Sequence, residues 1–342
     1  MTTMLRRSQA LLFALPLLAR PAWAEPEIVK VASVAPADTP WSELLDRIKE
    51  RVNAGARDKL KMRPFFGGKL GGEKETIRET REGRIQMWGG STAALATIVP
   101  ELYALEAPFL FESSEEADFV LDNYLREPAR KLLEEKGFVL YQWAENGWHG
   151  IATKTKCVKT PADLMGLKIR SQEAQIHLDT FKALGANPVE ISVPEVLPAL
   201  NQGVVDGFSN TPLFTFAVSW YQGIKFYTVT NHVYQPAALV YSKKWFDKQP
   251  KEVQTLLMSS PADDEKFGRK GVRELQGPLL DNFRNSQIEV CELTSDQRDS
   301  FKKATSKIFE TYRKKSGDSG KPIFQAIAKG KAAWAEKQKP GK

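Results

Sequence analysis

The stretch from Gly166 to Pro212, GLKIRSQEAQIHLDTFKALGANPVEISVPEVLPALNQGVVDGFSNTP, alternates strand and helix in a way that leaves few folds open. Leu167 to Ile169 is a short apolar strand ending on Arg170. Ala174, Leu178, Phe181 and Leu184 then recur at the spacing of a helix with one buried face. Gly185 stops that helix where a positive φ is favoured, and Asn187 to Ile191 is the next strand. Ser192 and Glu195 have the three-residue spacing of a capping box, and Pro194 suits a first helical turn. Gly203 closes this second helix, and Val204 to Ser209 returns as a third strand. Crossovers of this length join parallel strands of a single sheet.

Ligands of open parallel sheets sit beyond the carboxyl ends of the strands. Arg170 and Asn210 each stand directly after a strand, so the topology brings them to one edge although they are far apart in sequence. A guanidinium offers a planar fork of donors that matches a carboxylate, and the Asn amide adds one donor and one acceptor. The pair describes a carboxylate-sized site.

The order GLKIR, helix, GANPVEISVPEVLPALNQGVVDGFSNTP resembles the ligand-binding core of the DctP-type solute receptors of tripartite ATP-independent periplasmic (TRAP) transporters. Further similarity lies in FFGGKLGG (65–72), GRIQM (83–87), APFLF (107–111) and KTPADLMGLKIR (159–170), so it covers nearly all of the chain after its leader. The resemblance implies an α/β fold of two lobes, each a mostly parallel sheet flanked by helices, with crossing hinge strands and a long interdomain helix. It implies lobe I from 25–147 plus 233–280 and lobe II from 148–232 plus 281–320, with a basic segment at 321–342. It also gives Arg170 the role of clamping the ligand carboxylate, with Asn210 assisting.

The first 24 residues read as a cleaved export signal, with Arg6 and Arg7, an apolar run from Ala10 to Ala19, and Ala22-Trp23-Ala24 as the cleavage site. The run is too short to cross a bilayer, which takes roughly 20 residues. The Arg6-Arg7 pair leaves the export route open between the general and twin-arginine pathways. Without Arg6, Arg7 and Arg20, the 49 basic residues become 46 against 42 acidic ones, or +4. This mild, dispersed excess supplies no basic stripe for nucleic acid. Cys157 and Cys291 are the only cysteines, and an exported chain permits their pairing, although sequence leaves open whether they meet. There is no cysteine or histidine spacing for a metal, no cofactor motif and no nucleophile motif. Internal repeats and low-complexity linkers are also missing.

Other stretches add candidates to the site. Ile85 to Gly89 reads as a strand, with Gly89-Gly90-Ser91-Thr92 at its end offering backbone amides and two hydroxyls to an oxyanion. Gly89, Ser91 and the neighbouring Trp88 are therefore placed at the site. The sialic-acid receptors of the family carry a glutamate where Gly90 falls, which argues against a polyhydroxylated ligand of that type. Trp148 and His149 follow a strand from Phe138. Many relatives carry an arginine where His149 falls, and a histidine lining the pocket makes binding pH-sensitive. Val193 and Phe214, close to the two crossovers, complete the set. One clear arginine with aromatic neighbours favours a monocarboxylate with an apolar or aromatic portion over a C4-dicarboxylate, unless Lys69 or Lys154 supplies a second charge.

The expected function is a non-enzymatic extracytoplasmic receptor that delivers a small organic anion to TRAP membrane subunits. The alternatives are the same fold serving a sensor kinase, and a periplasmic enzyme acting on carboxylic acids. Further along, Lys251 to Arg284 reads as helix with breaks near Pro261 and at Gly277-Pro278. The charges of 321–342 read as solvated.

Overall fold

Strand and helix propensities separate cleanly along most of the chain, and the computed structural model, which describes residues 25–57 and 59–339, resolves them into two mixed sheets covered by helices. The expected export signal lies outside the described residues. The strands are β1 (Glu27–Ala32), β2 (Leu60–Phe65), β3 (Met87–Ser91), β4 (Phe138–Trp148), β5 (Gly150–Thr153), β6 (Lys168–Ser171), β7 (Asn187–Glu190), β8 (Gly207–Asn210), β9 (Phe226–Val229), β10 (Tyr234–Ser242) and β11 (Glu289–Glu292).

The first sheet has the order β2-β1-β3-β10-β4, with β1 parallel to β2 and β3, and β10 antiparallel to β3 and β4. The second has the order β11-β9-β5-β8-β6-β7. Here β6 lies parallel to both β7 and β8, as the crossovers require, while β5 runs antiparallel to β8 and β9. Helices cover both faces of each sheet, which is why β3, β8 and β10 are buried along their whole lengths.

The chain passes between the sheets at His149, the single residue between β4 and β5, and again between β9 and β10. The two crossings are tied by the hydrogen bond from His149 N to Val233 O, 2.9 Å. The 25-residue helix Pro261–Asn285 also spans the lobes, packing on β4 and β11. It continues through Gly277 and Pro278, where the sequence suggests a break. A proline forfeits one helical hydrogen bond, and packing against both sheets holds the helix across that gap.

The last helix, Ile308–Lys337, likewise differs from expectation. It bends at Gly317 (φ 55°), then buries Ile323, Phe324 and Ile327 in the core beside the first sheet. Its lysines stay largely at the surface while this apolar stripe docks, so the segment is part of the lobe. Cys157 and Cys291 form a disulfide with Cα atoms 6.0 Å apart, fastening the chain after β5 to the edge strand β11.

Candidate ligand-binding site

The ends of β1, β3, β6 and β8 converge on a cleft of about 660 Å3 counted to its open mouth. Alternation in β6 sends Ile169 into one apolar cluster and leaves Arg170 on the opposite face. There the guanidinium carbon lies 5.0 Å from the ring centroid of Trp220, which is held by edge contacts with Phe208 and Phe214. Arg170 Nε donates to Ile191 O at 2.9 Å, whereas Nη1 is buried with no partner. The side chain is 2% exposed, and among the described residues no carboxylate forms a salt bridge with it. Burial pushes its pKa down to about 10, against the opposing pull of Glu73 and Glu173. It therefore remains cationic at neutral pH, short of hydrogen-bond partners, in the wall of a cleft.

Asn210 closes β8, and its Oδ1 accepts from Thr211 N at 2.8 Å. That bond leaves the Nδ2 group as a donor. Its main-chain oxygen accepts from Tyr227 OH at 2.9 Å, which fixes the turn. Across the cleft, Glu73 opens the helix Glu73–Arg81 and accepts from Ser91 N (2.7 Å) and Ser91 Oγ (2.9 Å). A chain of amides lies deeper. Asn146 Nδ2 donates to Gln235 Oε1 (3.0 Å), and Gln235 Nε2 donates to Gln172 Oε1 (2.9 Å) and Glu106 Oε2 (2.7 Å).

Residues 31–315 match the family model of DctP, the bacterial extracellular solute-binding proteins of family 7. The chain belongs to this family.

Among its relatives, the 2,3-diketo-L-gulonate-binding periplasmic protein YiaO of Escherichia coli is 29% identical over 82% of this chain and 84% of its own. The C4-dicarboxylate-binding periplasmic protein DctP of Rhodobacter capsulatus is 26% identical over 93% of this chain and 94% of its own. The sugar acid binding protein DctPAm of Advenella mimigardefordensis, solved with galactonate, superposes with a TM-score of 0.84 at 27% identity, covering 90% of this chain and 99% of its own. Among the described residues of this DctP-family chain, no helix is long and apolar enough to cross a membrane.

Of the residues singled out in the sequence, Arg170, Asn210, Ser91, Val193 and Phe214 line the cleft together. Four others stand elsewhere. Trp88 is wholly buried under Gly90, with its indole N–H on Thr76 Oγ1 at 3.1 Å. Gly89 is paired with Leu239 of β10 and packs against Trp41. Of the backbone amides expected to be free at 89–92, Gly89 and Gly90 lie within the β3–β10 pairing and the Ser91 amide is held by Glu73. Trp148 packs into the apolar core beside the first sheet, donating to Ser114 Oγ at 3.0 Å with its ring edge against Tyr234. Neither Lys69 nor Lys154 lines the cleft, the latter donating to the main chain at Leu200 and Val205.

His149 is fully buried at the crossing, with Nδ1 3.0 Å from Ser209 Oγ and its ring stacked on His177 at 5.8 Å. Burial and the neighbouring His177 push its pKa down to about 3. The imidazole is thus neutral throughout the range in which a free histidine titrates, so it confers no pH dependence on ligand affinity between about pH 5.5 and 8. Its pH effect falls on folding. A lowered basic pKa means that the unfolded chain takes up a proton below about 6.5 while the native chain does not, so stability is lost as pH falls through that window. Relative to His149→Gln, the wild type is expected to lose about 1.4 kcal/mol for each pH unit well below 6.5. Denaturant titrations at pH 5 and 7 measure this, and parallel pH profiles for the two proteins would contradict it.

The sequence reading missed Glu73, Asn146, Gln172 and Gln235. Gln172 was the most accessible of these, lying two residues beyond Arg170 and so on the same side of an extended chain. Glu73 had a weaker signal, its place directly after the glycine-rich turn 66–72.

Proposed function

We propose that this protein is a periplasmic TRAP receptor, matured by cleavage after Ala24, that binds a small organic monocarboxylate through Arg170 and Asn210 and presents it to the membrane subunits. The observation that carries this reading is the buried Arg170 guanidinium, with Nη1 unpartnered in the wall of the cleft. A ligand carboxylate supplies the acceptors and the charge that the protein withholds, and Asn210 Nδ2 adds a donor beside it. Such a pair gains strength where water is excluded.

Closure is the step the transporter reads. Cleft residues come from both lobes, and the rim pair Lys74–Glu190, 2.7 Å apart, joins the helix after the glycine turn to β7. A ligand that touches both walls binds the closed state better than the open one, and that difference alone shifts the population. No catalytic role is assigned, consistent with a family of receptors. His149 and His232 are buried and held neutral by desolvation, which suits packing at the crossing.

The test is thermal unfolding of refolded mature protein with monocarboxylates, dicarboxylates and neutral sugars. A ligand at about 100 times its Kd adds about 2.7 kcal/mol, a shift of several degrees. Stabilisation by acids alone is expected. Stabilisation confined to neutral sugars would overturn the reading.

A further inference from the structure

We propose that Glu73 selects among the acids Arg170 can bind. Its carboxylate, in the same cleft, accepts hydrogen bonds from ligand hydroxyls and repels a second carboxylate, so the preferred ligand is a polyhydroxylated monocarboxylate of the sugar-acid class. This rests on the receptor reading above and names the substrate class of that site.

The position of the carboxylate is built. Both oxygens are pinned by Ser91, one by the amide and one by the hydroxyl, and each retains a lone pair beyond that bond. Gly90 makes room, because a Cβ there would collide with Glu73 Oε1 and with the Trp88 ring. The absence of a side chain at Gly90 is what argued in the sequence against a polyhydroxylated ligand. In the fold, that bare strand is where the Glu73 carboxylate lies.

The charges of the cleft point the same way. Among the described residues, Glu73 forms no salt bridge, and its neighbour Lys74 is committed to Glu190. Burial raises the Glu73 pKa, while the two hydrogen bonds from Ser91 and the nearby Arg170 favour the ionised form. A monoanion satisfies Arg170. Beyond Arg170, the charged side chains lining the cleft are Lys74, already paired with Glu190, and two acidic groups, Glu73 and the half-buried Glu173, so a second ligand carboxylate meets unpaired negative charge. Ligand hydroxyls find in Glu73 an acceptor, and in the amides of Asn146 and Gln172 further donor and acceptor atoms. Of the aromatic side chains that suggested an apolar or aromatic ligand portion, Trp88 and Trp148 are packed away from the cleft and only Phe214 lines it.

The experiment is calorimetric titration of the refolded mature chain with galactonate, gluconate and erythronate against succinate and fumarate. In the wild type the best sugar acid is expected to bind at least 100-fold tighter than either dicarboxylate. In Glu73→Gln, which keeps shape and removes charge, that ratio is expected to narrow about 10-fold or more, with the sugar acid weakened and succinate unchanged or improved. Should that variant fail to fold, Ser91→Ala, which frees one Glu73 oxygen, is expected to narrow the ratio in the same direction. A wild type that prefers succinate, or a substitution that moves both classes by the same factor, overturns the assignment of Glu73. Arg170→Ala separates the two readings. If it abolishes binding of every acid while Glu73→Gln leaves the ratio untouched, the receptor site stands and the selector falls. If no acid binds the wild type, both fall.

Discussion

Arg170→Ala is expected to weaken acid binding by about 3 to 5 kcal/mol, the usual result of removing one partner from a desolvated charge pair. The protein should nevertheless fold. The substitution gives up one hydrogen bond to Ile191 O and the stacking on Trp220, but it also removes a buried cation whose Nη1 has no partner. These effects oppose each other, so the melting temperature of the ligand-free protein should move far less than the affinity does. Because the guanidinium pKa stays near 10, the wild type binds without proton uptake at neutral pH, and the loss should be the same at pH 6 and pH 8. Calorimetry at both pH values is the check. An unchanged affinity would remove Arg170 from the site, whereas a loss of affinity accompanied by unfolding would show that its packing matters more than its charge. Arg170→Lys tests geometry separately, since it keeps the charge and discards the planar fork.

The unit containing Arg170 was legible because its signals are local. Apolar spacing marked the helix Gln175–Ala183, and Gly185 (φ 85°) and Gly203 (φ 73°) do take the conformation that only glycine adopts freely. Parallel pairing of β6 with β7 and β8 followed from crossover length. Local reasoning failed where a distant segment decided the outcome. The strand expected at Ile85–Gly89 forms two residues later because Gly89, Gly90 and Ser91 pair with β10, far along the chain. At Ser192 the spacing was right but the bond was different. The hydroxyl donates to the Glu195 carboxylate at 2.7 Å, and the chain enters its helix through a tight 3-10 turn, Val193–Glu195. The site divides in the same way. Arg170 and Asn210 were visible as strand ends of one sheet, while Glu73, Asn146 and Gln235 reach the cleft from the other lobe.

Arg269→Ala is expected to destabilise the fold by about 3 to 5 kcal/mol at neutral pH, because it breaks a buried ionic network that fastens the interlobe helix. Arg269 is 6% exposed and contacts Asp118 (3.0 Å), Asp122 (2.8 Å) and Glu265 (2.8 Å). Arg126 joins Asp122 and Glu265, and Arg273 joins Asp118 and Glu145. The network ties the helix Pro261–Asn285 to β4 and to the helical segment around Asp118 and Asp122. Without Arg269, four carboxylates share two arginines, and two of the four, Glu265 and Glu145, are buried. The sign of the pH dependence follows. Burial already raises the Glu265 pKa, with Asp122 adding to the rise and Arg269 opposing it. Losing the arginine raises it further, so acid neutralises the orphaned carboxylates and the penalty shrinks between pH 8 and pH 5. Arg269→Met, which restores apolar contact without charge, should recover only part of the loss at pH 8. Denaturant unfolding of both variants at the two pH values measures each term, and a penalty under about 1 kcal/mol, or one independent of pH, would mean that the helix is held by its apolar face alone. The network adjoins the cleft at Glu145, next to the cleft residue Asn146, but Arg269 itself does not line the cleft. Protein that remains folded should therefore bind its acid with little change in affinity, and that separates the fastening of the hinge helix from the chemistry of Arg170.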